Sequence, residues 1–167
     1  MSTYEQFRQG LQHMWDNIAE GWQQLRENAS SALTRFNPVA RRDNLQTAQD
    51  IAMLHSARWA LLTADMEESG DSITVRLEAP GMEVADFDIA VVDDRLVIRG
   101  EKQAAREHKS GRYHMLECAY GTFERVIPLP VAVSEDKAKA YYKRGVLTVT
   151  LPKTQQHQRR RIEVHHS

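Results

Sequence analysis

The 167-residue sequence predicts an all-β fold, an antiparallel two-sheet β-sandwich with a helical arm before it and a flexible tail after it. Three observations carry that prediction. Between Trp59 and Lys153 apolar and polar residues alternate over short runs, the pattern of half-buried strands. Turn residues separate these runs and no helical pattern interrupts them, which favours antiparallel strands in two packed layers. Before residue 59 the apolar spacing changes to three and four, and beyond residue 153 the chain is almost wholly polar until Ile162. The expected organisation is a helical arm over 1–58, the sandwich over 59–153 and a C-terminal extension over 154–167.

In the arm, Tyr4, Phe7, Leu11, Trp15, Ile18, Trp22 and Leu25 draw one apolar stripe along a helix. Gly10 and Gly21 each lower its intrinsic stability by roughly 1 kcal/mol relative to Ala. Contacts rather than propensity must therefore hold it, and the stripe has to face the protein's own core, a partner or client surface, or a membrane surface. Its polar side mixes Glu5, Asp16 and Glu20 with few cations, which leaves only weak membrane contact. Asn37 and Pro38 mark a break, and a second helix is expected over about Leu45 to His55.

The strands follow in order. ITVRLEA (73–79) alternates, APGM (79–82) turns, FDIAVV (87–92) alternates, and Asp93–Asp94 makes a tight turn into RLVIRGE (95–101). TFERVIPLP comes next, with Pro128 and Pro130 confining its second half to an edge or an exit. KAKAYYK and VLTVTL bring the expectation to about seven strands, with the core on the alternating faces. Pro152 ends the last strand, yet a polar and basic segment continues to Ile162-Glu163-Val164.

Composition excludes several classes of function. A hydrophobic content of 41% supports a real core, and a formal charge of −1 gives no global field for nucleic acid despite the local Arg159–Arg161 cluster. Cys118 stands alone, no apolar window is long enough to cross a membrane, and no basic segment leads into an apolar run at the N-terminus, so the expected compartment is the cytoplasm. No nucleotide-binding glycine loop is present, which argues against work driven by ATP. Cys118 and His114 have no third group to orient them as a nucleophile and base. His157, His165 and His166 lie in the polar tail, where a solvated segment is expected rather than a metal site. No enzyme, cofactor or metal is expected.

The run AYYKRGVLTVTLP, Ala140 to Pro152, resembles the A-x-x-x-n-G-V-L-x-v-x-x-P signature of the small heat shock proteins, the alpha-crystallin family. Further matches lie upstream in order: APG (79–81), DFDIAVVDDRLVIRGEK (86–102) and LECAYGTFERVIPLP (116–130). The resemblance covers about residues 59–153 and the tail, and it implies an immunoglobulin-like sandwich, the alpha-crystallin domain. In that family an I/V-x-I/V tripeptide past a hinge inserts between two edge strands of another subunit, and Ile162 and Val164 fit that pattern. The groove it implies joins Phe87, Ile89 and Val91 to Ala138, Ala140 and Tyr142. Gly145 is read as a positive-φ turn between strands, as in an ordinary hairpin.

The loop between Gly100 and Gly121 resembles members in which it carries a strand into a partner's sheet, here Tyr113 to Leu116. Tyr113, Met115, Leu116 and Arg125 are the dimer residues this implies, Arg125 resembling the arginine that members place at the dimer interface or in the sheet, with a surface salt bridge as the alternative. Cys118 departs from the arginine frequent at that place, which removes any ion pair made there. The implied function is an ATP-independent holdase that self-assembles into dimers and larger homo-oligomers. It would bind partly unfolded clients through the arm stripe and leave refolding to nucleotide-driven chaperones. A co-chaperone adaptor and a membrane-surface stabiliser are the alternatives.

Overall fold

The computed structural model describes residues 29–39, 48–104 and 113–155, without the side chains of Asp50, Ile51 and Leu54. The chain divides into two compact units after Leu33, and the fold below is that of the second. Among the described residues nine strands are formed: β1 (Leu33–Asn37), β2 (Trp59–Leu61), β3 (Ala64–Glu68), β4 (Ser72–Glu78), β5 (Phe87–Val92), β6 (Arg95–Lys102), β7 (Gly121–Pro128), β8 (Lys139–Lys143) and β9 (Val146–Pro152). A helix, α1 (Ala48–Ser56), lies between β1 and β2.

The strands make a five-stranded sheet, ordered β2-β1-β7-β6-β5, and a four-stranded sheet, ordered β3-β4-β9-β8. Every pairing with a defined register is antiparallel. Alternation sets which side chains meet. In β4, Ile73, Val75 and Leu77 lie opposite Leu151, Val149 and Leu147 of β9, and all six are buried. Leu96 and Ile98 of β6 and Phe123 and Ile127 of β7 supply the facing layer, with Phe36 of β1 against Phe123 at a 5.1 Å ring separation.

Turn chemistry follows the sequence. Asp93 and Asp94 sit at φ 45° and 58°, the left-handed pair that suits a two-residue hairpin. Gly145 sits at φ 81°, and a Cβ there would come within 3.3 Å of Pro80, so the β8–β9 turn needs glycine for both conformation and room.

Three elements differ from the expectation. The sheet takes β1 from residues 33–37, ahead of the expected start at 59, because Pro38 ends a strand without preventing one before it. β2 and β3 are the others, both at sheet margins. The second helix runs Ala48–Ser56 within the described residues. The expected helical arm up to residue 28 lies outside them.

Candidate functional site: the groove between two edge strands

The two sheets are joined differently along their two sides. On one side the short link Leu62–Thr63 passes directly from β2 to β3. Thr63 accepts from the Glu78 amide at 2.9 Å, extending the β3–β4 pairing, and the Leu62 carbonyl accepts from Arg125 Nε of β7 in the other sheet at 3.2 Å, so the link is tied to both sheets. On the other side β5 and β8 are the outer strands, and among the described residues no strand pairing joins them.

A cavity of about 430 Å³ opens there, lined by Ile89 and Val91 of β5, by Ala138 and Ala140 before and within β8, and floored by Leu96 and Val149. The geometry follows from register. Ile89 and Val91 lie opposite Ile98 and Leu96, and Ala140 lies opposite Val149, so all point to the core side of their sheets. At the rim of an open sandwich the same side chains are half in the core and half available. Alanine is the reason for the space: Ala138 and Ala140 are too short to reach across to β5.

Phe87 and Tyr142, expected in the groove, do not line this cavity. Their rings meet at 5.1 Å and an interplanar angle of 51°, closing one end of the groove. The Tyr142 hydroxyl donates to the Ala79 carbonyl at 2.9 Å, which fixes the pair.

The expected dimer residues are less united. Tyr113, Met115 and Leu116 form no strand within the chain; Met115 is 72% exposed. Arg125 lies between Phe123 and Ile127 on the inner face of β7, opposite Ile98, with its described hydrogen bond made to Leu62 of the same chain. Burial lowers its pKa from the ordinary arginine value. Ile162 and Val164, and Tyr4, Phe7, Leu11, Trp15, Ile18, Trp22 and Leu25, lie outside the described residues.

Two features were not anticipated. Lys153, at the root of the tail, is buried, and its Nζ donates to Glu68 Oε1 at 2.7 Å and to the Ser69 carbonyl at 2.6 Å. Its amide also donates to the Asp71 carbonyl, and the neighbouring Thr154 amide donates to the Ala132 carbonyl. The exit of the tail is thus fixed. In the loop before β7, Cys118 is exposed, and Lys102 Nζ sits 5.6 Å from the centroid of the Tyr120 ring. Burial first, then the charge and hydrogen bond of Cys118, then Tyr113, raise the Tyr120 pKa above the ordinary tyrosine value. Among the described residues no cluster of side chains suits a metal ion, and no helix is long and apolar enough to cross a membrane.

This two-sheet architecture with its open side has counterparts. The family described as Hsp20/alpha crystallin matches residues 65–165. The chain belongs to that family. Small heat shock protein C2 of Rickettsia felis is 37% identical over 100 residues, which are 60% of this chain and 65% of that protein. The 18.1 kDa class I heat shock protein of Arabidopsis thaliana is 31% identical over 119 residues, 71% of each chain. Against the Rickettsia protein the chain matches less than two thirds of the relative's length.

Among solved structures, heat shock protein 16.0 from Schizosaccharomyces pombe superposes with a TM-score of 0.53 at 29% identity, covering 64% of this chain and 97% of that one. A small heat-shock protein from Xylella fastidiosa, for which a distinct high order structure is described, gives 0.50 at 26% identity over 64% and 98%. The sandwich is therefore an alpha-crystallin domain, and its groove is the open side of that domain.

Proposed function

We propose that this small heat shock protein is an ATP-independent holdase of the cytoplasm that binds partly unfolded proteins and assembles into dimers and larger homo-oligomers. The observation that carries this reading is the apolar groove between β5 and β8, whose spacing of inward residues suits an extended tripeptide with Ile162 and Val164 on one side. Two such side chains bury roughly 1.5–3 kcal/mol each, less the ordering of the tether, so a single link is weak. Links that close around an assembly gain from effective concentration and still release one at a time. That combination permits subunit exchange.

Dimerisation on this reading uses Tyr113, Met115 and Leu116 as a strand added to a partner's sheet. Among the described residues β3 is paired only with β4, and its outer edge would suit such a strand. The arm stripe supplies client contact: heated proteins expose apolar patches and strand edges, and a helix rich in Trp, Phe and Leu covers them without a fixed shape. Binding of this kind needs no nucleotide.

The test is removal of residues 1–28, which stops short of β1 and so spares the sheet. The truncated protein should keep its β-rich circular dichroism and thermal midpoint, yet suppress light scattering by a heat-aggregating enzyme several-fold less well at equal mass. Undiminished protection would remove the arm from the mechanism.

A further inference from the structure

The groove has two unlike ends. At one, the Phe87–Tyr142 pair is held by the hydrogen bond to Ala79. Following β5 from Phe87 to Val91, and β8 back from Tyr142 to Ala138, leads along the cavity to the other end, where the short 3-10 turn Glu135–Lys137 enters. Glu135 is the one carboxylate among the described residues that line this cavity. Among those residues no ion pair or hydrogen bond engages its carboxylate; only its backbone carbonyl is used, by the Ala138 amide at 3.0 Å. Lys139 also lines the cavity, but it belongs to the outward row of β8 with Tyr141 and Lys143.

The tail carries a matching charge at a fixed spacing. An extended chain sends every second residue to the same side. If the tail docks extended, the side that presents Ile162 and Val164 would also present Arg160, with Arg159, Arg161 and Glu163 on the other side. Successive residues of an extended chain advance about 3.3 Å, so Arg160 would lie about 7 Å before Ile162.

We propose that Arg160 of a second copy's tail pairs with Glu135 and thereby sets the direction of docking. The tail enters at the Glu135 end and runs antiparallel to β5 toward the Phe87–Tyr142 pair. The inference rests on the tail-in-groove reading above and adds a residue pair and a polarity to it. A rim ion pair changes the strength of each link by up to about fivefold.

The experiment uses full-length protein. Isotopically heavy and light assemblies are mixed, and subunit exchange is followed by native mass spectrometry. Glu135→Arg and Arg160→Glu should each speed exchange about threefold to fivefold, and the double variant, which restores opposite charges, should return most of the way to wild type. Arg161→Glu, on the other side of the extended tail, should exchange at close to the wild-type rate. Additive effects in the double variant, or an Arg161→Glu effect as large as that of Arg160→Glu, would overturn the proposal. The Ile162→Gly/Val164→Gly variant separates the two layers. A fall in assembly mass upholds tail docking whatever the charge swap gives, whereas an unchanged mass removes the docking and with it the direction.

Discussion

Lys153 offers the sharpest test of how the sandwich is held at the point where the tail leaves. Its side chain is 7% exposed, against 46% for its partner Glu68. Lys153→Met keeps an unbranched apolar stem and deletes both bonds from Nζ. The bond to the Ser69 carbonyl is part-buried and charge-assisted, a class whose loss costs about 1.5–3 kcal/mol. The Glu68 carboxylate can regain water, so its share is at most about 1 kcal/mol.

Relief from desolvating an ammonium offsets part of this, leaving a net loss of about 2 kcal/mol. For a domain of this size that lowers the thermal midpoint by about 7 °C. Calorimetry at equal subunit concentration reads it, since the proposed assembly would make the midpoint concentration-dependent. Glu68→Gln should cost less than half as much. An unchanged midpoint in Lys153→Met, or an equal loss in Glu68→Gln, would refute the assignment of the larger share to Ser69.

Gly145→Val forces a branched residue to a φ of 81° with its Cβ 3.3 Å from Pro80, and should cost about 2 kcal/mol in a urea titration. Arg125→Met removes one hydrogen bond of 3.2 Å and an inward charge together, so stability should stay within about 1 kcal/mol and the dimer should persist in a mass measurement; dissociation to monomers would assign Arg125 to the interface. Because the folded Tyr120 phenol ionises later than the unfolded one, its contribution is fully present below the unfolded tyrosine pKa and is lost as pH rises through the folded value. Cys118→Ala should lower the Tyr120 pKa without returning it to the ordinary value, since burial is the first cause; a carbon-13 tyrosine NMR titration with no change would show that the thiol does not act on it.

The sequence was most legible where one face of a strand is wholly buried. β4, β5, β6 and β9 have such faces or border them, and their alternation located them closely. β3 was not readable: its inward residues are Ala64, Met66 and Glu68, opposite Leu77, Val75 and Ile73, and at a sheet margin the packing tolerates a small residue and a charge. β1 places Thr34 where an apolar residue would have completed the pattern with Phe36. The inward direction of Arg125 was available from the alternation Phe123, Arg125, Ile127, although a charge in that row invites a surface reading. Lys153 gave no signal, because a lysine after a strand-ending proline looks like the first residue of a tether, and only the β3–β4 turn folding over it makes it interior.

The groove residues show why the open side is a workable design for weak, reversible contact. Filling the cavity with larger side chains at Ala138 and Ala140 would give the domain more burial and a higher intrinsic stability. Leaving it open keeps Ile89 and Val91 partly wetted, a cost that any extended apolar strand can relieve by docking. On the proposed docking the relief at each site is small, because only two side chains would enter and the backbone edges are hydrated beforehand. It is also indifferent to detail, since pockets floored by Leu96 and Val149 reward shape at the scale of a branched aliphatic side chain and little else. On the proposed docking, discrimination between the chain's own tail and another strand would come from the rim. Glu135 is the carboxylate lining the cavity there, and the proposed pairing with Arg160 would let the groove tell one end of a peptide from the other.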